Sequence, residues 1–488
     1  MMAENVTVHF KSVMLADRWK CLLVGVLFYV IADAGLFSSF DAWIYIALVA
    51  IFLPRFSVCL LILVGATQDA RGLANQWWYP AFATAGLSIL AYYLLKQRIT
   101  WAKDQTDGRL VRCALFAVSV MFYGFILSVM QNYLGGYAQS SERPPLLIAG
   151  LASFMIITAL ISLRLVFEND ELRRGLGYVV ILAILNNVVV LLIQGVAGNT
   201  LFHSPDGVQN MLQATQLTEQ TALGIPRLTG TYLTPNGFGL YTALLVLVWI
   251  YLRFDAKRPG AITVWTVVAV GLLFSLGTMS KDVTLFFGGL TFLLIVWRYG
   301  WLRASAAVVA FVVIAAILID IHYGSDWNNL AIAFRIHSAA IAQDSYRLQA
   351  WKYVVSNFTA VDWLIGTGLA SWPAIFQTAL GFKLADPHTW VLSVPGSFGL
   401  FGLLFYAYLF VQLILAAYSA NARIRFLALT LLYLVFLIDL FEIMLPLGNT
   451  PVTYVIWLLI GLCLNNVTAI PRYAIPIAAE PHVESGRK

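Results

Sequence analysis

Charge is what this chain has least of. Charged residues make up 11% of its 488 positions, against 60% hydrophobic ones, and mean hydropathy is +0.81. An ordinary soluble domain carries about a quarter charged residues, so a soluble globular protein is excluded and a polytopic membrane protein is expected. Cysteine is scarce as well: Cys21, Cys59, Cys113 and Cys463 all lie in apolar runs, which excludes a disulfide framework and a zinc cluster. A cleavable leader is not expected, because Met1 to Lys20 is polar and the apolar run from Cys21 has no small-residue cleavage site. The net charge of +6 is no nucleic-acid signal, since its placement follows the apolar runs.

Those runs are what the chain has in abundance. They fall at 19–37, 40–54, 56–68, 80–96, 110–130, 146–166, 176–197, 234–252, 261–278, 283–298, 304–321, 388–419, 426–445 and 450–467, which predicts an all-α fold of about fourteen transmembrane helices; 40–54 and 56–68 are short. Basic residues gather in every second connection. Lys11, Arg18 and Lys20 precede the first run, Arg55 follows the second, and Lys96 to Arg112 fill the next. Arg173 and Arg174, then Arg253 to Arg258, Arg298 and Arg303, and Arg423 and Arg425 continue the alternation. The positive-inside rule therefore places both termini in the cytoplasm. The organisation read from this pattern is helices over 1–197, an outward loop at 198–233, helices over 234–321, a large outward loop at 322–387, helices over 388–470, and a tail at 471–488.

Both outward loops are long, and loops of such length are functional or disordered. The second holds Trp327, Trp351, Trp363 and Trp372 and helix-like stretches at Asp326–Ala342 and Tyr346–Phe358, so folded helices along the outer membrane surface are expected.

The organising stretch is Asp386-Pro387-His388-Thr389-Trp390, where that loop passes into an apolar run. Histidine alone titrates near neutrality, so His388 suits proton transfer from an alcohol; a cap or a snorkelling ring is the plainer reading. Arg227 stands shortly before Thr234-Pro235-Asn236, where Thr234 suits a helix cap and Pro235 a first helical position. It either snorkels or flanks an anion at that helix start. Ser280-Lys281-Asp282 forms an outward turn that is a local ion pair or a further cation. Arg347 follows Asp344, Ser345 and Tyr346 at a helix start, and pairs with Asp344 or faces a ligand. Three cations and one histidine on a single face point to an anionic substrate at the membrane surface, and guanidinium forks match the oxygens of a lipid diphosphate.

In this order Arg227 with Gly230 and Pro235-Asn236, Ser280-Lys281, Arg347 with Trp351, Gly366-Thr367-Gly368, and His388 with Leu392, Gly399 and Gly402 resemble the O-antigen ligase and Wzy-type polymerase superfamily. The resemblance covers about residues 225–405, and the segment from His388 to Gly402 is its most specific part. Lys281 stands where relatives often carry Arg, and Thr389 and Ser397 stand where they often carry Asn and an acidic residue, so Asp386 is the candidate to orient His388. The resemblance implies a GT-C-like glycosyltransferase in the bacterial inner membrane, acting at the periplasmic face without a metal or other cofactor. It implies an undecaprenyl-diphosphate-linked glycan donor and a glycan or lipid A-core acceptor. In that reading His388, Arg227 and Arg347 are catalytic, and Lys281, Ser280, Asn236, Tyr346 and Asp386 bind substrate. A chain-length regulator or a flippase is an implied protein partner; nucleic acid is not.

The number of apolar runs favours, by analogy, a polymerase of repeat units over a ligase to lipid A-core. A transporter of an anionic solute is the reading from another class, with Asp33, Asp439 and Glu442 as coupling groups. It needs charge near the bilayer midplane, whereas the cations gather at one face.

Overall fold

The computed structural model describes residues 16–32, 39–67, 75–96, 107–133, 144–197, 228, 235–253, 260–278, 280–305, 346–369, 371–381, 387, 389–419, 421–437 and 451–465. All regular structure among them is helical: α1 (Asp17–Ala32), α2 (Ser39–Phe52), α3 (Ser57–Ala66), α4 (Asn75–Lys96), α5 (Asp107–Tyr133), α6 (Pro145–Glu168), α7 (Asp170–Ala197), α8 (Pro235–Arg253), α9 (Ala261–Thr278), α10 (Lys281–Tyr299), α11 (Tyr346–Asn357), α12 (Ala360–Ile365), α13 (Trp372–Leu380), α14 (Trp390–Ala417), α15 (Ala422–Leu432) and α16 (Pro451–Asn465). A helix stands over each expected apolar run except 304–321, which beyond residue 305 lies outside the described residues. Among the described residues, six helices are long and apolar enough to cross a membrane, and several shorter apolar ones accompany them. The chain is thus a polytopic membrane protein, all-helical in its described regular structure.

Helix α16 sits at the centre. Every residue from Thr453 to Leu464 is buried, and it packs on α6, α8, α5, α15, α14 and α3. Such a sequence, apolar all round, belongs inside a bundle rather than at its rim. The outer helices show the complementary pattern. Leu23, Val26 and Val30 on α1, Leu115, Phe122 and Ile126 on α5, and Ile262, Trp265 and Leu276 on α9 are exposed, which is the belt that lipid covers. Lipid tails are as apolar as leucine, so close packing and polar contacts must join the helices. Tyr241 lies directly over Gly65 and donates to the Ile62 carbonyl at 2.8 Å, Asn187 donates to Thr242 at 2.9 Å, and Tyr454 meets Ser162 at 3.0 Å.

One end of the bundle is knitted by ions. Asp17 pairs with Arg55 at 2.7 Å and with Lys20 at 3.5 Å, and Glu171 pairs with Arg18 at 3.8 Å and Arg174 at 3.6 Å. Helix α7 runs from this basic end to the opposite one, where its Gly195 faces Leu228.

Apolar run 388–419 is not the single straight span that its composition suggests. Gly399 has φ 60° and ψ −151°, and the chain reverses there. A Cβ on Gly402 would meet the side chain of Val394 at 2.9 Å, and Trp390 stacks on Tyr406 with centroids 5.4 Å apart. Those two rings would stand about 24 Å apart on one continuous helix. Residues 390–398 and 400–417 are therefore an antiparallel pair, and the start of α14 lies level with Tyr406. No charged residue interrupts this run, so its apolar composition hid the reversal.

The expected helix at Tyr346–Phe358 is present as α11, and the expected Asp326–Ala342 helix lies outside the described residues. Helices α11 and α13 share a small core of their own, Ala350, Val354, Trp372, Ile375 and Phe376, with Leu392 of α14 packed against it.

Candidate active site at the end opposite the basic cluster

Two groups of residues assemble here. The first forms where α8, α9 and α10 meet. Ser280 caps α10: it is 1% exposed and its Oγ accepts from the Val283 N–H at 3.3 Å. That cap fixes Lys281 as the first residue of the helix, with Asp282 behind it, buried. Asn236, in the first turn of α8, donates through Nδ2 to Asp282 Oδ2 at 3.3 Å. Leu228 then donates its backbone N–H to the Gly277 carbonyl at 2.9 Å, three residues before the Ser280 cap. Sequence neighbours of Arg227 are thereby placed beside the Ser280-Lys281-Asp282 turn.

The second group forms between α11 and the start of α14. Trp351, one helical turn after Arg347, donates its indole N–H to the Pro387 carbonyl at 2.5 Å. Trp390 donates its own to the Phe436 carbonyl at 3.2 Å and lies edge-on to the Phe436 ring. His388 falls between two anchored neighbours, Pro387 and the Thr389-Trp390 pair. Tyr346 and Arg347 form the first turn of α11, so the helix that carries Arg347 is tied, one turn further on, to the residue preceding His388.

A π-helical turn, Tyr433–Leu437, joins the two groups. Widened turns of this kind free backbone carbonyls and recur at functional sites. Tyr433 donates to the Leu285 carbonyl at 2.6 Å, one turn into α10 from Lys281, and its ring fills the space over Gly289. Phe436, three residues on, receives Trp390. This one π-turn thus touches both the Lys281 helix and the helix that begins after His388.

The glycines of the sequence pattern have a structural office. The Gly366-Thr367-Gly368 loop docks into the reversal of α14: Thr367 and Gly368 donate their N–H groups to the Gly396 and Ser397 carbonyls at 2.7 and 2.9 Å. Gly366, at φ 92°, passes so close that a Cβ there would sit 2.6 Å from the Gly399 nitrogen. On its other side the loop is held by α5, with Leu369 N–H on the Gly124 carbonyl at 3.1 Å and Ser128 Oγ on the Leu369 carbonyl at 2.7 Å. Trp372 Nε1 donates to Ser397 Oγ at 2.8 Å, so the residue standing in place of an acid serves as a docking acceptor. Non-helical backbone at membrane depth must find such partners within the protein.

Of the expected site residues, Ser280 and Asn236 are placed with their side chains, and Lys281, Tyr346 and Arg347 by their backbone alone. Arg227, Asp386 and His388 lie outside the described residues. Sequence reasoning missed Asp282 as a member of the site, although it had been read as a local ion-pair partner, and it missed Leu228, Tyr433 and Phe436 altogether. Asp282 was detectable as a carboxylate inside an apolar turn; a π-turn leaves no comparable trace.

A multi-pass helical membrane protein with polar groups from four separated stretches converging at one end is the class that fold and site define. No family model matches the chain. The chain is distantly homologous to the teichuronic acid biosynthesis protein TuaE of Bacillus subtilis (strain 168), at 22% identity over 426 residues, covering 82% of this chain and 75% of that relative.

Proposed function

We propose that the protein is a periplasmic-face glycosyltransferase that joins undecaprenyl-diphosphate-linked oligosaccharide units into a polysaccharide, with inversion at the anomeric carbon and without a metal. The convergence of the Leu228, Asn236 and Ser280–Asp282 segments with the Trp351–Pro387 and Trp390–Phe436 contacts carries the reading. Chain neighbours of Arg227 and of His388, and the helix starts that carry Lys281 and Arg347, belong to these contacts, which supports a shared site away from the basic end that the positive-inside rule assigns to the cytoplasm. Distant homology to a protein of polysaccharide biosynthesis supports the same class of activity.

In this mechanism an acceptor hydroxyl attacks the anomeric carbon as the bond from that carbon to the diphosphate oxygen breaks. The departing diphosphate keeps the electron pair, and Arg227 and Arg347 stabilise its charge, with Lys281 beside them. His388 takes the hydroxyl proton. Ser280 acts through the turn that it caps, and Asn236 and Asp282 hold that turn against α8. A leaving group that is already a diphosphate needs no general acid.

Deletion of the gene and a carrier-lipid profile test the assignment. Loss of a polymerase leaves single repeat units as the longest product. Accumulation of long, unattached chains on the carrier would show a ligase instead, and an unchanged lipid profile would remove the chain from the pathway.

A further inference from the structure

Helix α12 is short, and none of its residues is buried. Val361, Leu364 and Ile365 point outward, 60%, 59% and 42% exposed. Its depth can be gauged from the partners of the loop that follows. Leu369 is bonded to Gly124, and Tyr123 donates to the Ile365 carbonyl at 2.9 Å. Gly124 lies twelve residues beyond Arg112, the last basic residue of α5, or about 18 Å along the helix. Gly399, against which Leu364 and Ile365 pack their backbone, lies eighteen residues before Ala417 at the basic end of α14, about 27 Å. Both heights fall inside a hydrocarbon core about 30 Å thick.

Local chemistry agrees with that depth. The charge of α12 is confined to its first turn, where Asp362 Oδ2 accepts from the Thr359 N–H at 2.8 Å and from its hydroxyl at 2.7 Å. Leu364 and Ile365 end the helix, and the irregular backbone that follows, residues 366–369, is buried and bonded to α14 and α5. Exposed irregular backbone is not tolerated in hydrocarbon, whereas an exposed apolar helix face is at home there. The helices that α12 touches, α14 and α5, expose apolar side chains of their own, Leu400 and Leu404 on α14 and Phe122 and Ile126 on α5.

We infer that residues 359–369 form a re-entrant segment, with the Val361–Leu364–Ile365 face of α12 seated among the acyl chains of the leaflet nearest the candidate site. The partner of this face is the bilayer itself. Insertion of α12 sets the depth of the Gly366–Leu369 loop and of the α14 reversal on which that loop docks. This depends on the chain being a membrane protein and not on its being a transferase.

Spin labels test it. Val361→Cys and Leu364→Cys are labelled in the full-length protein in phosphatidylethanolamine–phosphatidylglycerol vesicles, with Ser356→Cys on the exposed polar face of α11 as reference. The native cysteines are buried and give no competing surface label. Collision rates are then compared for oxygen, which concentrates in hydrocarbon, and a polar nickel chelate, which does not. At positions 361 and 364 the ratio of oxygen to nickel collisions should exceed that at 356 several-fold. A ratio at 364 equal to that at 356 would place α12 in water, and shielding of both labels from both reagents would mean that protein covers the face; either result overturns the inference.

Discussion

Trp351 and Pro387 are joined by an indole N–H to carbonyl hydrogen bond of 2.5 Å, and that bond couples the helix bearing Arg347 to the residue preceding His388. Replacement by Phe keeps the ring and removes the donor. Trp351→Phe should therefore cost about 1 kcal/mol of stability, and transfer should fall tenfold or more while the protein still assembles in the membrane. Turnover equal to wild type would show that the bond positions nothing.

Gly399 and Gly366 make a second pair. Each has positive φ, and each lacks the Cβ that would strike the other's segment. Gly381 has positive φ as well, but open space around it. Gly399→Ala and Gly366→Ala should each lower the melting temperature clearly more than Gly381→Ala, whose cost is the conformational one alone, about 1 kcal/mol. Equal shifts in a thermal assay in detergent would mean that the loop does not press on the α14 reversal.

Asn236 and Asp282 meet at 3.3 Å with Asp282 buried. Asn236→Asp would set two carboxylates side by side, and like charges at that distance are strongly unfavourable. This variant should be less stable and less active than Asn236→Ala. The opposite order in activity and melting temperature would remove the contact from the account.

Arg347→Lys should be nearly as damaging as Arg347→Ala if the diphosphate is gripped through two parallel bonds, because an ammonium lacks the planar fork. Lys281→Arg, which restores the residue common in the resembling superfamily, should retain activity. Full transfer by Arg347→Lys would reduce Arg347 to bulk charge.

Much of the helical layout was legible because apolar runs of membrane length have no other stable use. Even the short runs 40–54 and 56–68 became helices, α2 and α3, since α3 is enclosed by the bundle and need not meet lipid. Run 388–419 misled for the same reason: hydropathy measures composition, and the reversal at Gly399 depends on one positive φ and on the loop that docks there. The candidate site was legible as a list, because cations beside apolar helices are expensive and attract notice. Its geometry was not. The Leu228–Gly277 bond and the Trp390–Phe436 bond run between residues 49 and 46 positions apart, and backbone carbonyls have no sequence signature.

The most direct test of the central claim uses purified protein in vesicles supplied with the undecaprenyl-diphosphate-linked repeat unit in EDTA. Wild type should convert it into longer carrier-linked chains and release carrier diphosphate, whereas His388→Ala, Arg227→Ala and Arg347→Ala, each still folded, should leave the unit unextended. Chain extension by His388→Ala at the wild-type rate, or a strict need for a divalent cation in the wild type, would contradict the account.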